Sequence, residues 1–469
     1  MKAFSRLPSG GPRLGWITTS FFRWERLTRL WLAGGRWTMQ LGARARRSLR
    51  WLIWDGMFAN IGESILGAYQ SIYLVELGAT RGEIGVLSAL ANLALPAAMF
   101  PGGKLASKAR RLKPLVIVPA ILVRVLLLLL IVAPWVFPAG RTLIIVAIAL
   151  IVARSLVANL MLPAWTTMIS DIVPTQWRGR YFSSRNILMG ASGFLGLLLV
   201  GQLIDRITGI GGYQLALGVA LLVGIASIYA FWHIDEPLRP ALATTELAAL
   251  PLRQLLKGQG RFVAYCAVAA LWNLTVQISG PFFNVFLAEE VRASASVIAL
   301  ASAASTLASL PGQRVFGPLN DRKGSMWVQR LTGFWIPFVP ALWGFITQPW
   351  QAFPLQILAG FMWAGYNLAA FNSLLELTPA ESRPRLVAVY QAVVGIGMAA
   401  GAALGGVIAQ VSGYRPVFWI SGIGRLVVAL LFSVLIIGVN PLGKSRGRSL
   451  VRSRKPTPPA ESQELTNES

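Results

Sequence analysis

The strongest constraint on the fold is a set of charged segments that occurs twice, about half a chain apart. Both copies have an acid, a proline and two arginines in the same order: Asp171, Pro174, Arg178 and Arg180, then Glu376, Pro379, Arg383 and Arg385. Every residue of the second copy lies 205 positions after its counterpart, and long apolar stretches separate the segments. The repeat predicts two related halves, each built from several membrane-crossing segments.

The composition agrees with a chain that crosses a membrane many times. Hydrophobic residues make up 55% of the chain and charged residues 13%, and the mean hydropathy is +0.59. Soluble domains carry roughly a quarter charged residues, which argues against a soluble enzyme with a single anchor. A membrane-spanning helix needs about 20 apolar residues. Twelve such windows are present, at 51–76, 83–101, 114–137, 142–171, 181–204, 212–232, 261–288, 295–316, 326–347, 352–376, 386–410 and 415–439.

These windows predict an all-α polytopic membrane protein with 12 transmembrane helices in two pseudo-symmetric six-helix bundles. The N-terminal tail, 1–50, is basic and favours a helix lying on the membrane surface, although Met39 is an alternative start that would leave 1–38 untranslated. The C-terminal tail, 441–469, is basic and polar, and we expect it to be disordered. The remaining predicted boundaries are a first bundle at 51–233, a cytoplasmic linker at 234–260 and a second bundle at 261–440.

The net charge of +25 is concentrated in the two tails and in short loops. Lys and Arg accumulate on the cytoplasmic side of membrane proteins, so we expect both termini in the cytoplasm and the protein in the cell membrane. This distribution favours contacts with anionic membrane lipids over nucleic acid. The chain has one cysteine, Cys266, and one histidine, His233. We therefore expect no metal site, no cofactor and no enzymatic activity.

One repeated segment has a recognisable pattern, which in the second half reads Gly317-x-Leu319-x-Asp321-Arg322-x-Gly324. It resembles the hallmark loop of the major facilitator superfamily, Gly-x-Leu-x-Asp-Arg-x-Gly-Arg. The first-half copy fits at Gly103, Leu105, Ala106 and Arg111, with Lys108 in place of an arginine. It departs from the pattern where Ser107 and Arg110 replace the family's acid and glycine. The resemblance covers about residues 51–440 and implies the family's fold.

Acidic and basic groups near these loops can pair in one conformer and separate in another, which biases a two-state equilibrium. The candidate pairs are Asp321 with Arg322, Asp171 with Arg178 or Arg180, and Glu376 with Arg383 or Arg385. Each pair at a wet membrane surface contributes about 1 kcal/mol. Simple anchoring of the positive loops at the membrane is the alternative. The predicted gating residues are Gly103, Arg111, Asp171, Arg178, Arg180, Gly317, Asp321, Arg322, Gly324, Glu376, Arg383 and Arg385.

Two of the windows carry polar residues along one helical face. The first window presents Asn60, Glu63, Gly67 and Gln70, and the seventh presents Asn273, Gln277, Gly280 and Asn284. Lipid disfavours such faces, so both are predicted to turn toward a shared cavity. Hydrogen bonding between helices would employ the same residue types and is the alternative.

Three charges fall well inside the windows: Glu63, Arg124 and Arg154. Each costs about 2.5–3.5 kcal/mol near the bilayer centre, so we expect Glu63 to pair with one of the two arginines. A carboxylate there can bind a proton on one side of the membrane and release it on the other. An arginine keeps its charge and could hold an anionic solute. A purely structural ion pair is the equal alternative, and Asp55, nearer the cytoplasmic end, is interpreted as an interfacial or gate residue.

Aromatic residues on helices that also carry polar groups are candidates for stacking on a solute. They are Trp165, Trp272, Trp363 and Tyr366, with Asn367 next to Tyr366, and Trp272 and Trp363 are the better candidates. Interfacial tryptophans often have no ligand role.

The sequence as a whole favours a monomeric secondary active transporter that moves a small organic solute by alternating access, driven by protons or another coupling ion. A lipid or amphiphile translocase, or a non-transporting membrane sensor of the same fold, is the alternative. Neither the solute nor the direction of transport follows from the sequence.

Overall fold

The computed structural model describes residues 40–173, 178–207, 209–236, 256–379 and 382–436. The predicted surface helix of the N-terminal tail, most of the linker and the C-terminal tail lie outside the described residues. The first half contains six helices: α1 (Ala43–Glu76), α2 (Arg81–Lys108), α3 (Lys113–Val136), α4 (Arg141–Ile172), α5 (Arg178–Arg206) and α6 (Ile210–Trp232).

The second half repeats this series with two interruptions. Its helices are α7 (Gly260–Ser279), α8 (Phe283–Glu289), α9 (Ala295–Lys323), α10 (Ser325–Trp335), α11 (Phe338–Trp343), α12 (Ala352–Leu377), α13 (Arg383–Ser412) and α14 (Tyr414–Leu435). A 3₁₀ turn, Gly280–Phe282, joins α7 to α8, and Pro337 lies between α10 and α11. Proline lacks a backbone donor, so each predicted span is broken where Pro281 or Pro337 occurs.

Nine of the described helices are long and apolar enough to cross a membrane. The remaining three positions of the twelve are occupied by α1, by α12 and by the broken pair α10–α11. Within the first half, α1 packs against α5 and α6, and α2 packs against α4. Their counterparts repeat these contacts, because α7 packs against α13 and α14, and α9 packs against α12. The twelve segments thus form two pseudo-symmetric bundles.

The starts of α2 and α9 show the repeat at atomic detail. The Thr80 hydroxyl accepts a hydrogen bond from the Glu83 backbone N–H, and the Ser294 hydroxyl accepts one from Val297. Hydroxyl residues are preferred at this position because the first backbone N–H groups of a helix have no partner within it. Thr80 and Ser294 lie 214 residues apart, the same separation as Gly103 and Gly317.

Several helices run further than the sequence predicts. α1 begins at Ala43, eight residues before the predicted span, since its arginine-rich first turns favour helix and continue beyond the apolar stretch. α2 and α9 extend to Lys108 and Lys323, so Gly103, Gly317, Asp321 and Arg322 lie in helical turns rather than in loops. Basic residues stabilise the negative end of the helix dipole, which explains these longer ends.

The halves touch along α2 with α13 and along α5 with α9. One close approach joins Gly85 of α2 to Gly406 of α13, where a side chain on Gly85 would overlap the Gly406 backbone and lie 2.9 Å from the Ala402 carbonyl oxygen. Small residues permit such backbone contact between membrane helices.

We expect Gly85→Ala to lower the melting temperature of the purified protein, because a methyl group there forces α2 away from α13. Overpacking of this kind costs about 1–3 kcal/mol. The matched control is Gly218→Ala on α6, where an added methyl group meets nothing within 4 Å. Equal melting temperatures for the two variants would show that the close approach of α2 and α13 is not rigid.

Candidate functional site

One end of the bundle, here called the closed face, holds the turns before α2, α9 and α14. Asp205, at the end of α5, accepts hydrogen bonds from the backbone N–H groups of Ala295 at 2.8 Å and Ser296 at 3.1 Å, at the start of α9. Gln410, near the end of α13, accepts one from Gly82 at 3.1 Å, at the start of α2. Each side chain therefore caps a helix of the opposite half.

These two contacts are equivalent in the repeat. Asp205 and Gln410 are 205 residues apart, and Gly82 and Ser296 are 214 residues apart. One member of the pair is a carboxylate and the other a neutral amide. An acceptor at a helix start satisfies unpaired N–H groups, and a negative charge there also interacts favourably with the helix dipole. The closed face is thus stabilised by two equivalent helix caps, of which one acceptor is charged and the other is neutral.

Further contacts between the halves lie on the same side. The Tyr69 hydroxyl donates to the Ala295 carbonyl at 2.9 Å, and Arg81 approaches Glu289 at 3.8 Å. The Arg81 guanidinium also lies over the Tyr414 ring, whose hydroxyl donates to Glu289. Asn284 donates to the Ala68 carbonyl nearer the middle of the membrane.

A cavity of about 430 Å³ lies between the halves below these contacts. Its lining includes Asn60 and Gly67 from α1, Asn284 from α8 and Ser302 from α9. Gly67, Asn284 and Ser302 also line an adjoining space of about 350 Å³, which reaches Gly280. The structure therefore brings part of each predicted polar face to a shared cavity.

Several members of the two polar faces, including Asn60, make hydrogen bonds or contacts of their own. The Asn60 amide donates to the Met189 carbonyl of α5 at 2.7 Å, while the Asn273 amide donates to Ala269 of its own helix at 2.9 Å. The Gln70 amide oxygen is buried without a hydrogen-bond partner among the described residues. The Gln277 side chain packs against Gly280 so closely that a side chain at position 280 would overlap the Gln277 amide group.

A second cavity, of about 220 Å³, lies inside the first half and is here called the N-half cavity. Asp55, Glu63, Arg124 and Arg185 all line it, and Met189 lines both this cavity and the 430 Å³ cavity. Of the two arginines predicted as partners, Arg154 pairs with Glu63, at 3.2 Å. The Glu63 side chain is 61% exposed whereas that of Arg154 is 11% exposed.

The structure changes the interpretation of two charges of the N-half cavity, Asp55 and Arg185. Asp55 is buried, with 6% exposure, and accepts a hydrogen bond from the Ser227 hydroxyl at 2.7 Å. Arg185, which was overlooked, is 4% exposed and donates from Nε to the Leu52 carbonyl at 3.3 Å. Asp55 is thus a core residue rather than an interfacial one. Arg185 could have been found as a charge about one turn inside the fifth window, 181–204.

Three of the predicted aromatic residues come together in the second half, whereas Trp165 lines the N-half cavity. Trp272 stacks on Tyr366 with ring centres 4.8 Å apart, and Trp363 meets both rings edge-on. The cavity beside Trp272 and Tyr366 has a volume of about 10 Å³. This is roughly the space of one water molecule, so in this conformer the rings stack on one another. Asn367 is exposed on the same helix.

Arg425, on α14, is a further charge that the sequence analysis did not identify. It is 2% exposed and donates to the Val276 carbonyl at 3.2 Å and the Ser279 hydroxyl at 2.7 Å. These acceptors lie next to the 3₁₀ turn at Pro281, so Arg425 supplies donors where α7 is interrupted. The sequence contained one indication of this residue, because an arginine inside the last apolar window needs polar partners.

The predicted gating residues of the second half take different partners. Glu376 accepts a hydrogen bond from the Ser325 hydroxyl at 2.7 Å. Arg383, predicted as a partner of Glu376, instead donates to the Leu375 and Thr378 carbonyls. The last carbonyls of a helix lack intrahelical donors, which explains why Arg383 donates to the end of α12 rather than to Glu376. Asp321 and Arg322 are exposed, and Gly324 has the positive φ of 90° that the turn after α9 requires.

The first-half copy is built differently. Arg110 replaces the glycine, and the turn after α2 has no residue of positive φ. Glu236, which follows α6, accepts hydrogen bonds from the Leu112 and Lys113 backbone N–H groups at the start of α3. Arg111 immediately precedes this capped start, whereas Gly103 lies within α2. Asp171 has a partner, and the side chains of Arg178 and Arg180 lie outside the described residues.

The family comparisons agree with this architecture. The model of the Major Facilitator Superfamily matches residues 56–279 and 262–466. The chain belongs to this superfamily of membrane transporters. A curated relative, the "probable efflux pump mfs2" of Aspergillus flavus, is 26% identical over 144 residues. That match covers 31% of this chain and 34% of the relative, so the chain aligns with about a third of that protein.

Solved structures of low sequence identity share the fold. The nucleoside transporter NupG has a TM-score of 0.66 at 15% identity, with 82% of this chain and 99% of that chain covered. A bacterial homologue of the iron transporter ferroportin, in an inward-facing state, scores 0.65 at 13% identity, with 82% and 98% covered. The D-xylose-proton symporter scores 0.63 at 13% identity, with 82% and 96% covered.

We expect Asp205→Ala to open the closed face, because two backbone N–H groups of α9 lose their acceptor. Loss of a helix cap costs about 0.5–2 kcal/mol, so exposure of the cavity should rise about 2-fold to 30-fold. A cysteine placed at Ser302 in a Cys266→Ser background reports this exposure through its rate of labelling by a membrane-impermeant maleimide.

Asp205→Asn, which keeps one acceptor oxygen, should label at an intermediate rate. Asp235→Ala, at an exposed carboxylate on the other end of the bundle, is the matched control and should label like the parent. Labelling of Asp205→Ala at the parental rate would contradict the role assigned to the cap.

Proposed function

We propose that the protein is a proton-coupled secondary transporter that carries a small organic solute across the cell membrane by alternating access. The supporting observation is a cavity between the two halves that is lined in part by amide and hydroxyl side chains and that cross-half contacts close at one end. A ligand site between pseudo-symmetric bundles is the arrangement that rocking of one bundle against the other exposes to either side. Family membership supports transport, and the cavity supports a small solute.

The orientation follows from charge. The end opposite the closed face carries Lys104, Lys108, Arg110, Lys113 and Lys323, which the positive-inside rule assigns to the cytoplasm. The closed face then lies outside, and both termini lie in the cytoplasm. In this conformer the outer side is closed by Asp205, which caps the start of α9, and by Gln410, which caps the start of α2. Transport requires these contacts to break and others to form at the cytoplasmic side.

Glu63 is the proposed coupling residue. Its side chain reaches the N-half cavity and is largely exposed, so water can deliver a proton to it, while Arg154 stays buried on the other side of the pair. Protonation of Glu63 would leave Arg154 without a charged partner. The two protonation states therefore favour different arrangements of α1 and α4, which couples proton binding to conformation.

In proteoliposomes, we expect Glu63→Gln to abolish the pH-gradient dependence of solute transport, because glutamine cannot release a proton. Solute exchange without a gradient should persist, since the glutamine oxygen can still accept a hydrogen bond from Arg154. Transport of a panel of organic acids, amines, sugars and nucleosides, with and without a pH gradient, supplies the measurement.

The matched control is Glu76→Gln, which removes an exposed carboxylate at the end of the same helix. A Glu63→Gln/Arg154→Gln double variant separates coupling from folding, because it removes both members of the ion pair together. Full gradient-driven transport by folded Glu63→Gln would falsify the coupling assignment.

A further inference from the structure

The charges around the N-half cavity do not balance. Arg124, Arg154 and Arg185 contribute three positive charges, whereas Asp55 and Glu63 contribute two negative charges. The electrostatic neighbours of Arg124 are Glu63, Arg154 and Asp55, and those of Arg185 are Asp55 and Tyr181. The ionised cluster therefore carries one net positive charge. A charge inside a membrane protein is costly unless it is paired, so an anion in the cavity would stabilise this arrangement.

Arg124 is the arginine that remains available. Arg154 is committed to Glu63, and Arg185 donates from Nε to the Leu52 carbonyl. Arg124 makes no hydrogen bond or ion pair with any residue that the structure describes, yet it lines the N-half cavity. A guanidinium offers five donors in a planar fork that matches the two oxygens of a carboxylate.

Glycines provide the space for both cavity-lining guanidinium groups. A side chain on Gly224 of α6 would lie 2.7 Å from Arg124 Nε, and one on Gly56 of α1 would lie 2.6 Å from an Arg185 terminal nitrogen. Arg185 also lies beside the ring of Trp165, at 5.4 Å from its centre. Close packing on helix backbones restricts where these groups can point. The two arginines are therefore held at the cavity wall rather than free to move into water.

The rest of the lining is mainly apolar. Val116 and Ile117 of α3, Met161 and Leu162 of α4, and Phe231 of α6 surround the charged groups. The volume of about 220 Å³ is below the roughly 300–1,000 Å³ of drug-sized pockets, which favours a small molecule. A ligand that fits both features has a compact anionic head and a short apolar body.

We propose that the N-half cavity binds an organic monoanion, a small carboxylic acid with an apolar body, whose head group accepts hydrogen bonds from Arg124 and lies near Arg185. The proposal rests on the proposed transport function, because it names the chemical class of the solute. It places the solute's head group in the N-half cavity, which shares the lining residue Met189 with the 430 Å³ cavity between the halves. It also assigns a division of labour: the Glu63–Arg154 pair responds to protons, and Arg124 holds the solute's charge.

The test is equilibrium binding to the full-length protein in detergent, without any gradient. The probes are benzoate, hexanoate and phenyl phosphate, each paired with a neutral analogue: benzamide, hexanamide and phenol. Binding is followed by the ligand-dependent rise in melting temperature. We expect at least one carboxylate to bind at least tenfold more tightly than its amide, and Arg124→Gln to remove that difference.

Arg141→Gln is the matched control, because Arg141 is exposed at the start of α4 and its loss changes the net charge equally. It should bind the carboxylate like the parent. Gly224→Ala is the second variant, since it displaces the Arg124 guanidinium without removing its charge, and it should weaken carboxylate binding several-fold. This variant keeps the proposal testable if Arg124→Gln does not fold.

Equal binding of every anion and its neutral analogue would overturn the proposal, and so would unchanged carboxylate binding in both Arg124→Gln and Gly224→Ala. Binding of phenyl phosphate alone would also overturn the carboxylate assignment and indicate a phosphate head group. Carboxylate binding that depends on Arg124, without flux in proteoliposomes, would support the site while contradicting the proposed function. Flux of an uncharged solute that Arg124→Gln leaves unchanged would support transport while contradicting the site.

Discussion

The closed face depends on one kind of interaction, the capping of a helix start by a side chain from the opposite half. The first backbone N–H groups of a helix have no partner within it. Asp205 and Gln410 supply acceptors for α9 and α2 only while the halves touch. When the halves separate, water can replace these acceptors, because the helix starts lie at the membrane surface. The contact is therefore strong enough to favour closure and weak enough to reverse.

The two halves share a backbone arrangement, but the side chains that line their interiors differ. The first half contains charges, with Glu63 paired to Arg154 and Asp55 buried beside Ser227. The second half contains stacked rings, Trp272 on Tyr366, and one arginine that supports a helix break. A pseudo-symmetric scaffold thus holds an asymmetric site. This asymmetry is why proton coupling and anion binding are both proposed for the first half.

Much of the fold could be predicted because membrane helices leave strong periodic signals. Twelve apolar windows and two repeat separations were sufficient for the two bundles, and Pro281 and Pro337 explain the breaks that those windows did not predict. The site was predicted less completely. Glu63, Arg154, Asn60 and Asn284 stood out as polar residues in apolar windows, whereas Arg185 and Arg425 were overlooked although they carried the same signal. Nothing in the sequence pointed to Asp205 and Gln410, because an acid or an amide near a helix end is common.

The sequence by itself determined the class of fold, since hydrophobic length and charge distribution act along the chain and need no knowledge of neighbours. It also determined that Glu63 needs a partner, because an unpaired charge in lipid is too costly. Only the tertiary structure decided which partner that is. It alone showed that Arg383 caps the end of α12, the helix before its own, instead of binding Glu376, and that Arg124 faces a cavity without a partner among the described residues. Those choices depend on which helix ends and side chains the packing of α1 to α14 brings within hydrogen-bond distance.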